Sequence, residues 1–166
     1  MSEKRKYTKK KHFVKDSHVE MTQLVLPNDT NQLGNLLGGR LMEWMDIAAA
    51  ISAQRHSNRV CVTAAVDDLV FHQPIRLGEV VTLRASVNRA FGSSMEVGVQ
   101  VVAENQLTGD SKTANTAYLT FVAVDDNNMP VNIPPVVAQT QEEKRRYNES
   151  FTRRNLRLKR RVTTRN

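Results

Sequence analysis

Cysteine occurs once, at Cys61, which rules out an internal disulfide and leaves a small side chain better suited to packing in a strand than to acting as a nucleophile. The four histidines, His12, His18, His56 and His72, lack the paired spacing that a metal site uses, so no metal is expected. No Gly-x-Ser-x-Gly occurs, and Ser93 and Ser94 do not meet that spacing, so a serine nucleophile on an α/β-hydrolase elbow is unsupported. A phosphate-cradling P-loop is missing too. No apolar run approaches the roughly 20 residues that cross a bilayer, and the basic N-terminus lacks the apolar stretch of a signal peptide. These absences exclude a membrane role and give a cytoplasmic protein as the expectation.

What is present fits one folded unit. The 166 residues, 40% hydrophobic and 25% charged, are ordinary for a soluble globular domain with a single core. A net charge of +7 invites a nucleic-acid reading, but the charge is unevenly placed. Residues 1–16 carry seven Lys/Arg against two acids and residues 141–166 carry ten against three, whereas residues 17–140 carry seven against twelve. The basic ends therefore flank an acidic body. Neither a helix-turn-helix, a zinc-finger spacing nor an aromatic stacking platform accompanies them, so nucleic acid is not the expected partner. Three segments result: a basic, partly disordered arm over 1–15, a folded body over 16–137, and a basic helical tail over 138–166.

Periodicity sorts the body into elements. A strand is expected between Asp16 and Leu26, with Val19, Met21 and Val25 on one parity, ended by Pro27, Asn28 and Asp29. A loop follows to the Gly38-Gly39 pair, and a helix starts at or just after Gly39 and runs to Arg55 or His56. Its apolar residues, Leu41, Met42, Trp44, Met45, Ile47, Ala48, Ala49 and Ile51, cover far more than one stripe, so the helix should be wrapped on most sides. Val62, Ala64 and Val66 then alternate, and the parity flips to Leu69 and Phe71, which predicts a bulge around Asp67-Asp68. Further strands carry Val81, Leu83, Ala85 and Val87, then Met95, Val97, Val99 and Val101, then Ala117, Leu119 and Phe121. An extended Pro130–Pro135 segment and a charged helix from Gln139 to Arg160 close the chain. The class is α+β: an antiparallel sheet wrapped around one long central helix, plus a C-terminal helix.

Asp46 is out of place in that scheme. An ionised carboxylate in a buried helix loses hydration worth several kcal/mol unless something replaces it. The surrounding stretch "NQLGNLLGGRLMEWMDIAAAISAQRHS", followed by "VTAAVDDLVFHQPIRLGEVV" and "FGSSMEVGVQV", resembles the hotdog-fold acyl-CoA thioesterases of the cytosolic acyl-CoA hydrolase family, from about His18 to Pro135. The resemblance implies hydrolysis of fatty acyl-CoA to free acid and coenzyme A, with Asp46 as the base that activates water. Gly38, Gly39 and Arg40 would supply backbone donors at the helix start, and Asn31 would hold the thioester or the water. It also implies that Asn31 and Asp46 meet across a homodimer, which family members commonly assemble into a trimer of dimers. Coenzyme A enters as part of the substrate, no separate cofactor being required. His56, Arg59, Thr63, Arg89 and the Gly92-Ser93-Ser94 turn are the candidates for binding it.

Plainer readings stand beside these. Asn31 can build an Asx turn near Gly34, Gly38-Gly39 can be only a turn that starts a helix, and Asp46 can be a structural acid paired with Arg40 or another arginine. Ser93 and Ser94 fit an ordinary turn. A hotdog dehydratase or hydratase is the alternative chemistry, but it needs a histidine beside the helix acid where Asn31 stands. A non-catalytic sensor of CoA esters is the other alternative. The basic tail lies largely outside the resemblance, and its helix is expected to pack on neighbouring subunits through Tyr147, Phe151 and Leu158.

Overall fold

A computed structural model describes residues 11–163, with burial described to residue 161. The elements are β1 (His12–Phe13), β2 (Val19–Leu24), α1 (Gly38–Ser57), β3 (Val60–Val66), β4 (Val80–Phe91), β5 (Ser94–Glu104), β6 (Ser111–Val124), β7 (Val136–Val137) and α2 (Gln141–Thr163). Five strands form one antiparallel sheet in the order β2–β4–β5–β6–β3, and β1 pairs with β7 in parallel.

Alternation decides which face of the sheet is covered, because successive strand side chains point to opposite sides. Val81, Leu83 and Val87 of β4, Met95, Val97, Val99 and Val101 of β5, and Leu119 and Phe121 of β6 are buried. Against them lie Leu41, Met45, Ala48, Ala49 and Ala53 of α1, whose small residues let the helix sit close to the strands. At about 1.5 Å per residue the helix spans roughly 30 Å. It is the central helix that the sequence predicts.

The opposite face of the sheet carries α2. Glu96 lies between Met95 and Val97 and therefore points away from α1; it is fully buried against Arg153, whose Nη2 donates to Glu96 Oε1 at 2.7 Å. Arg153 also stacks over the Tyr118 ring at 3.7 Å, and Arg89 lies over Tyr147 at 4.3 Å and Phe151 at 5.2 Å.

Several sequence expectations change. The expected arm reaches residue 15, but residues 12–17 are ordered as β1 and a 3-10 turn; its residues 1–10 lie outside the described residues. The predicted bulge at Asp67-Asp68 is instead between Thr63 and Ala65, and Leu69 and Phe71 belong to no strand, because pairing with β6 stops at Val66. α1 is not wrapped on most sides within one chain: Met42, Ile47 and Ile51 are 43%, 44% and 39% exposed, since β3 ends the sheet and no strand lies beyond it among the described residues. Within the single chain Tyr147 packs on Arg89, which leaves Phe151 and Leu158 as the exposed apolar residues through which α2 would meet a neighbouring subunit. No helix among the described residues is long and apolar enough to cross a membrane.

Candidate active site

Asp46 sits in the third turn of α1, half-buried, with its Oδ1 accepting a hydrogen bond from Thr63 Oγ1 at 2.7 Å. Thr63 lies on the edge strand β3 just before the bulge, which keeps its side chain on the α1 side. Together they line a cavity of about 340 Å³ with Gly39, Met45, Leu69 and Leu119. Glu43, which pairs with Arg40, also lines it, and the other walls are mostly apolar, so two carboxylates and one hydroxyl border an apolar space. Asp46 is therefore neither fully buried nor paired to Arg40, whose guanidinium is taken by Asp29 at 3.0 Å and Glu43 at 2.7 Å.

The start of α1 supplies donors. Leu37 occupies the N-cap position, and its side chain cannot accept a hydrogen bond, so no side chain caps the helix. The first helical bond runs from Leu41 N to Leu37 O, and the amides of Gly38, Gly39 and Arg40 have no partner among the described residues. A Cβ at Gly39 would meet nothing within 4 Å, so the backbone there lies open to a ligand. Gly38 differs: a Cβ would come within 3.3 Å of the Phe71 ring. It lines a second cavity, of about 380 Å³, with Asn35, Leu41, Phe71 and His72.

Asn31 builds the Asx turn that its residue type allows, its Oδ1 accepting from Leu33 N at 3.0 Å and Asn35 N at 3.2 Å. The carboxamide nitrogen has no partner among the described residues, and Asn31 does not line the Asp46 cavity of its own chain.

The residues expected to bind coenzyme A divide. His56 is fully buried near the end of α1, its Nε2 donating to Pro134 O at 2.8 Å and its ring packed on His12, so it has no surface to offer a ligand. Burial holds its pKa below the usual imidazole value, and the hydrogen bond to Pro134 opposes that only in part. Thr63 is committed to Asp46. Arg89 is half-buried on the α2 face among Phe91, Tyr147 and Phe151. Arg59 and the Gly92-Ser93-Ser94 turn do share one end of the sheet, since Ser94 is opposite Val122 and Val122 opposite Val62. Gly92, at φ +76°, makes the turn possible. The link between Thr63 and Asp46 has no local signal in the sequence; it depends on β3 returning along α1.

A family profile described as thioesterase superfamily matches residues 33–109. The uncharacterized acyl-CoA thioester hydrolase YkhA of Bacillus subtilis is 43% identical over 153 residues, covering 92% of this chain and 89% of that protein. An acyl-CoA hydrolase from Staphylococcus aureus, solved with butyryl coenzyme A, coenzyme A and coenzyme A disulfide, superposes with a TM-score of 0.88 at 34% identity, over 94% of this chain and 95% of that one. An apo hexameric acyl-CoA thioesterase superposes with a TM-score of 0.88 at 39% identity, over 90% and 96% of the two chains. Alanine variants of the Staphylococcus aureus protein have been solved at an asparagine, an aspartate fifteen residues later and a threonine seventeen beyond that. Asn31, Asp46 and Thr63 repeat those spacings.

The sheet around one helix, with an acid and the open Gly39 backbone on a largely apolar cavity, defines a hotdog thioesterase. Within that class, the chain belongs to the acyl-CoA thioester hydrolases. It spans about a quarter of the length of two mouse relatives, acetyl-coenzyme A thioesterase at 37% identity and acyl-coenzyme A thioesterase 11 at 44%.

Proposed function

We propose that the protein hydrolyses fatty acyl-CoA to free fatty acid and coenzyme A. The single observation that supports it most is the Asp46–Thr63 hydrogen bond on an apolar cavity beside the uncapped start of α1. Asp46 takes a proton from water as the water oxygen bonds to the thioester carbon. The charge moving onto the carbonyl oxygen is met by the amides of Gly38, Gly39 and Arg40, which need no reorganisation to receive it. When the tetrahedral intermediate collapses, the carbon–sulfur bond breaks and the thiolate leaves with the proton that Asp46 held. Water, acid and thiol balance without a further cofactor. Thr63 fixes the carboxylate during both transfers.

The site is completed by a second copy. Met42, Ile47 and Ile51 of α1 are exposed apolar residues beside the unpaired edge of β3, the kind of surface that marks an interface. A homodimer closing over it would carry the partner's asparagine, equivalent to Asn31, to the Asp46 cavity, and three such dimers would give a hexamer. Arg59, Ser93 and Ser94 are the residues best placed for the phosphates of coenzyme A. No histidine lines the Asp46 cavity, which disfavours the dehydratase alternative.

A thiol-release assay over a series of acyl chain lengths tests the proposal. Turnover should vanish in Asp46→Ala and drop sharply in Asn31→Ala, with circular dichroism unchanged. Stabilisation by CoA esters without any thiol release would instead favour a sensor.

A further inference from the structure

The segment joining β3 to β4 walls both cavities. Leu69 lines the one holding Asp46; Phe71 and His72 line the one beside Gly38. Yet this wall has little main-chain support. After Asp67 N, which donates to Tyr118 O at 3.0 Å, no amide from Asp68 to Ile75 donates a hydrogen bond among the described residues. Side chains hold it instead: Asn115 Nδ2 donates to Val70 O at 2.9 Å and Lys112 Nζ to Pro74 O at 3.0 Å.

The first two residues of the segment are gripped by α2. Arg157 Nη1 donates to Asp67 Oδ1 at 2.6 Å, and Arg160 donates to both oxygens of Asp68 at 2.8 Å. These grips are unequal. Asp68 and Arg160 are 73% and 64% exposed, whereas Asp67 and Arg157 are 20% and 14% exposed, and Asp67 Oδ2 is buried without a partner among the described residues. Arg157 is thus the counterion on which the Asp67 carboxylate depends, while the exposed pair is screened by water. α2 is itself anchored by the Arg153–Glu96 pair, so the sheet interior is linked through α2 to the residue two positions before Leu69.

We propose that the C-terminal helix sets the dimensions of the acyl cavity, with Arg157 the positioning residue that fixes the 67–74 segment and thereby the acyl chain length accepted. This rests on the reading that the Asp46 cavity takes the acyl chain. Arg157 touches no substrate; it acts through Asp67 on Leu69. A misplacement of about 1 Å in such a wall is enough to change rates by large factors.

Two measurements on Arg157→Ala in the full chain test it. The first is kcat and KM over acyl-CoA esters from short to long. KM for the best wild-type ester should rise about 5-fold or more, and the preferred chain length should shift, while kcat for the shortest ester stays within about twofold. The second, independent of turnover, is limited chymotrypsin cleavage after Phe71 well below the thermal midpoint of either protein, which should accelerate several-fold. Asp67→Arg with Arg157→Asp should restore both readouts, and Arg160→Ala should leave both near wild type. Should Arg157→Ala fold poorly, Arg157→Lys keeps the charge without the planar fork and should give a partial shift. Cleavage and chain-length profile both at wild-type values would overturn the proposal. Faster cleavage with an unchanged profile would overturn the specificity role. Absence of hydrolysis in the wild type would defeat the hydrolase reading alone; cleavage that still rises in Arg157→Ala and reverts in the charge swap would uphold the positioning of the segment.

Discussion

Asp46 and Thr63 form one hydrogen bond at 2.7 Å, and each atom of it has a separable consequence. Asp46→Asn keeps the size of the side chain but cannot accept the proton of water, so thiol release should fall by about 10²- to 10⁴-fold, the range of a general base. Thr63→Val keeps the branched shape and removes only the donor. A loss of about 10-fold in kcat is expected, with Thr63→Ser close to wild type, as measured by steady-state thiol release. An unchanged kcat in Thr63→Val would mean that the hydroxyl does not fix the carboxylate. His56 governs a different quantity. Burial depresses its folded-state pKa below 6.5, with the Pro134 hydrogen bond and Asp16 opposing and His12 adding to the effect. Below pH 6.5 the unfolded chain therefore binds a proton that the folded chain refuses, so the stability contributed by His56 is complete above pH 6.5 and is lost as pH falls. Thermal midpoints between pH 7 and pH 5 should drop more steeply in the wild type than in His56→Gln, which has no proton to gain.

At the scale of elements, α2 is held to the sheet through a polar layer. Asn88 Nδ2 donates to Glu96 Oε1 at 2.9 Å, Arg153 donates to both Glu96 oxygens at 2.7 and 3.1 Å, and Glu96 has no exposure at all. Glu96→Ala leaves a partly buried guanidinium without its counterion and should cost about 3–5 kcal/mol in urea unfolding. Gly98 shows how tightly the layer packs, because a Cβ there would come within 2.9 Å of Asn88 Nδ2 and dislodge it from Glu96. Gly98→Ala should cost about 1–3 kcal/mol, readable from the same unfolding midpoint. This layer is also where the sequence says least. Val81–Val87, Met95–Val101 and Ala117–Phe121 are legible as strands because each turns one parity to a single apolar helix. Glu96 occupies an outward position in that alternation and looks solvated until Arg153, 57 residues away, covers it. The same holds at the site: Asp46 and Gly38-Gly39 are marked by local pattern, since a carboxylate and a glycine pair are conspicuous beside an apolar helix. The Thr63 contact and the Asp67–Arg157 grip are pairings between distant elements that no local period encodes. Leu69 and Phe71 mimic strand parity because both face cavities, not because they pair with a neighbour.

For the whole molecule, two features of the single chain have one explanation in the proposed homodimer. Val60 and Val62 remain 64% and 47% exposed on an unpaired edge strand, a condition that invites pairing with another chain, and Asn31 lies off the Asp46 cavity of its own chain. In the proposed homodimer, a second copy related by twofold symmetry would cover the first and supply the second, since an isologous interface presents each surface twice. Val62→Lys with Ile47→Glu should therefore give a monomer by sedimentation velocity and lose thiol release in step with assembly. That result alone does not separate a shared site from one merely stabilised by dimerisation, but mixing two impaired variants does. Asn31→Ala retains Asp46 and Asp46→Ala retains Asn31, so a mixed dimer holds one site in which both residues are native and one in which neither is. After denaturation together and refolding, random pairing makes half of the dimers mixed, each with one of its two sites intact, so activity should return to about a quarter of wild type. Variants refolded separately and assayed at once should show no more than the residual rate of Asn31→Ala. If the refolded mixture also stays at that rate although dimers form, Asn31 and Asp46 do not meet across the interface.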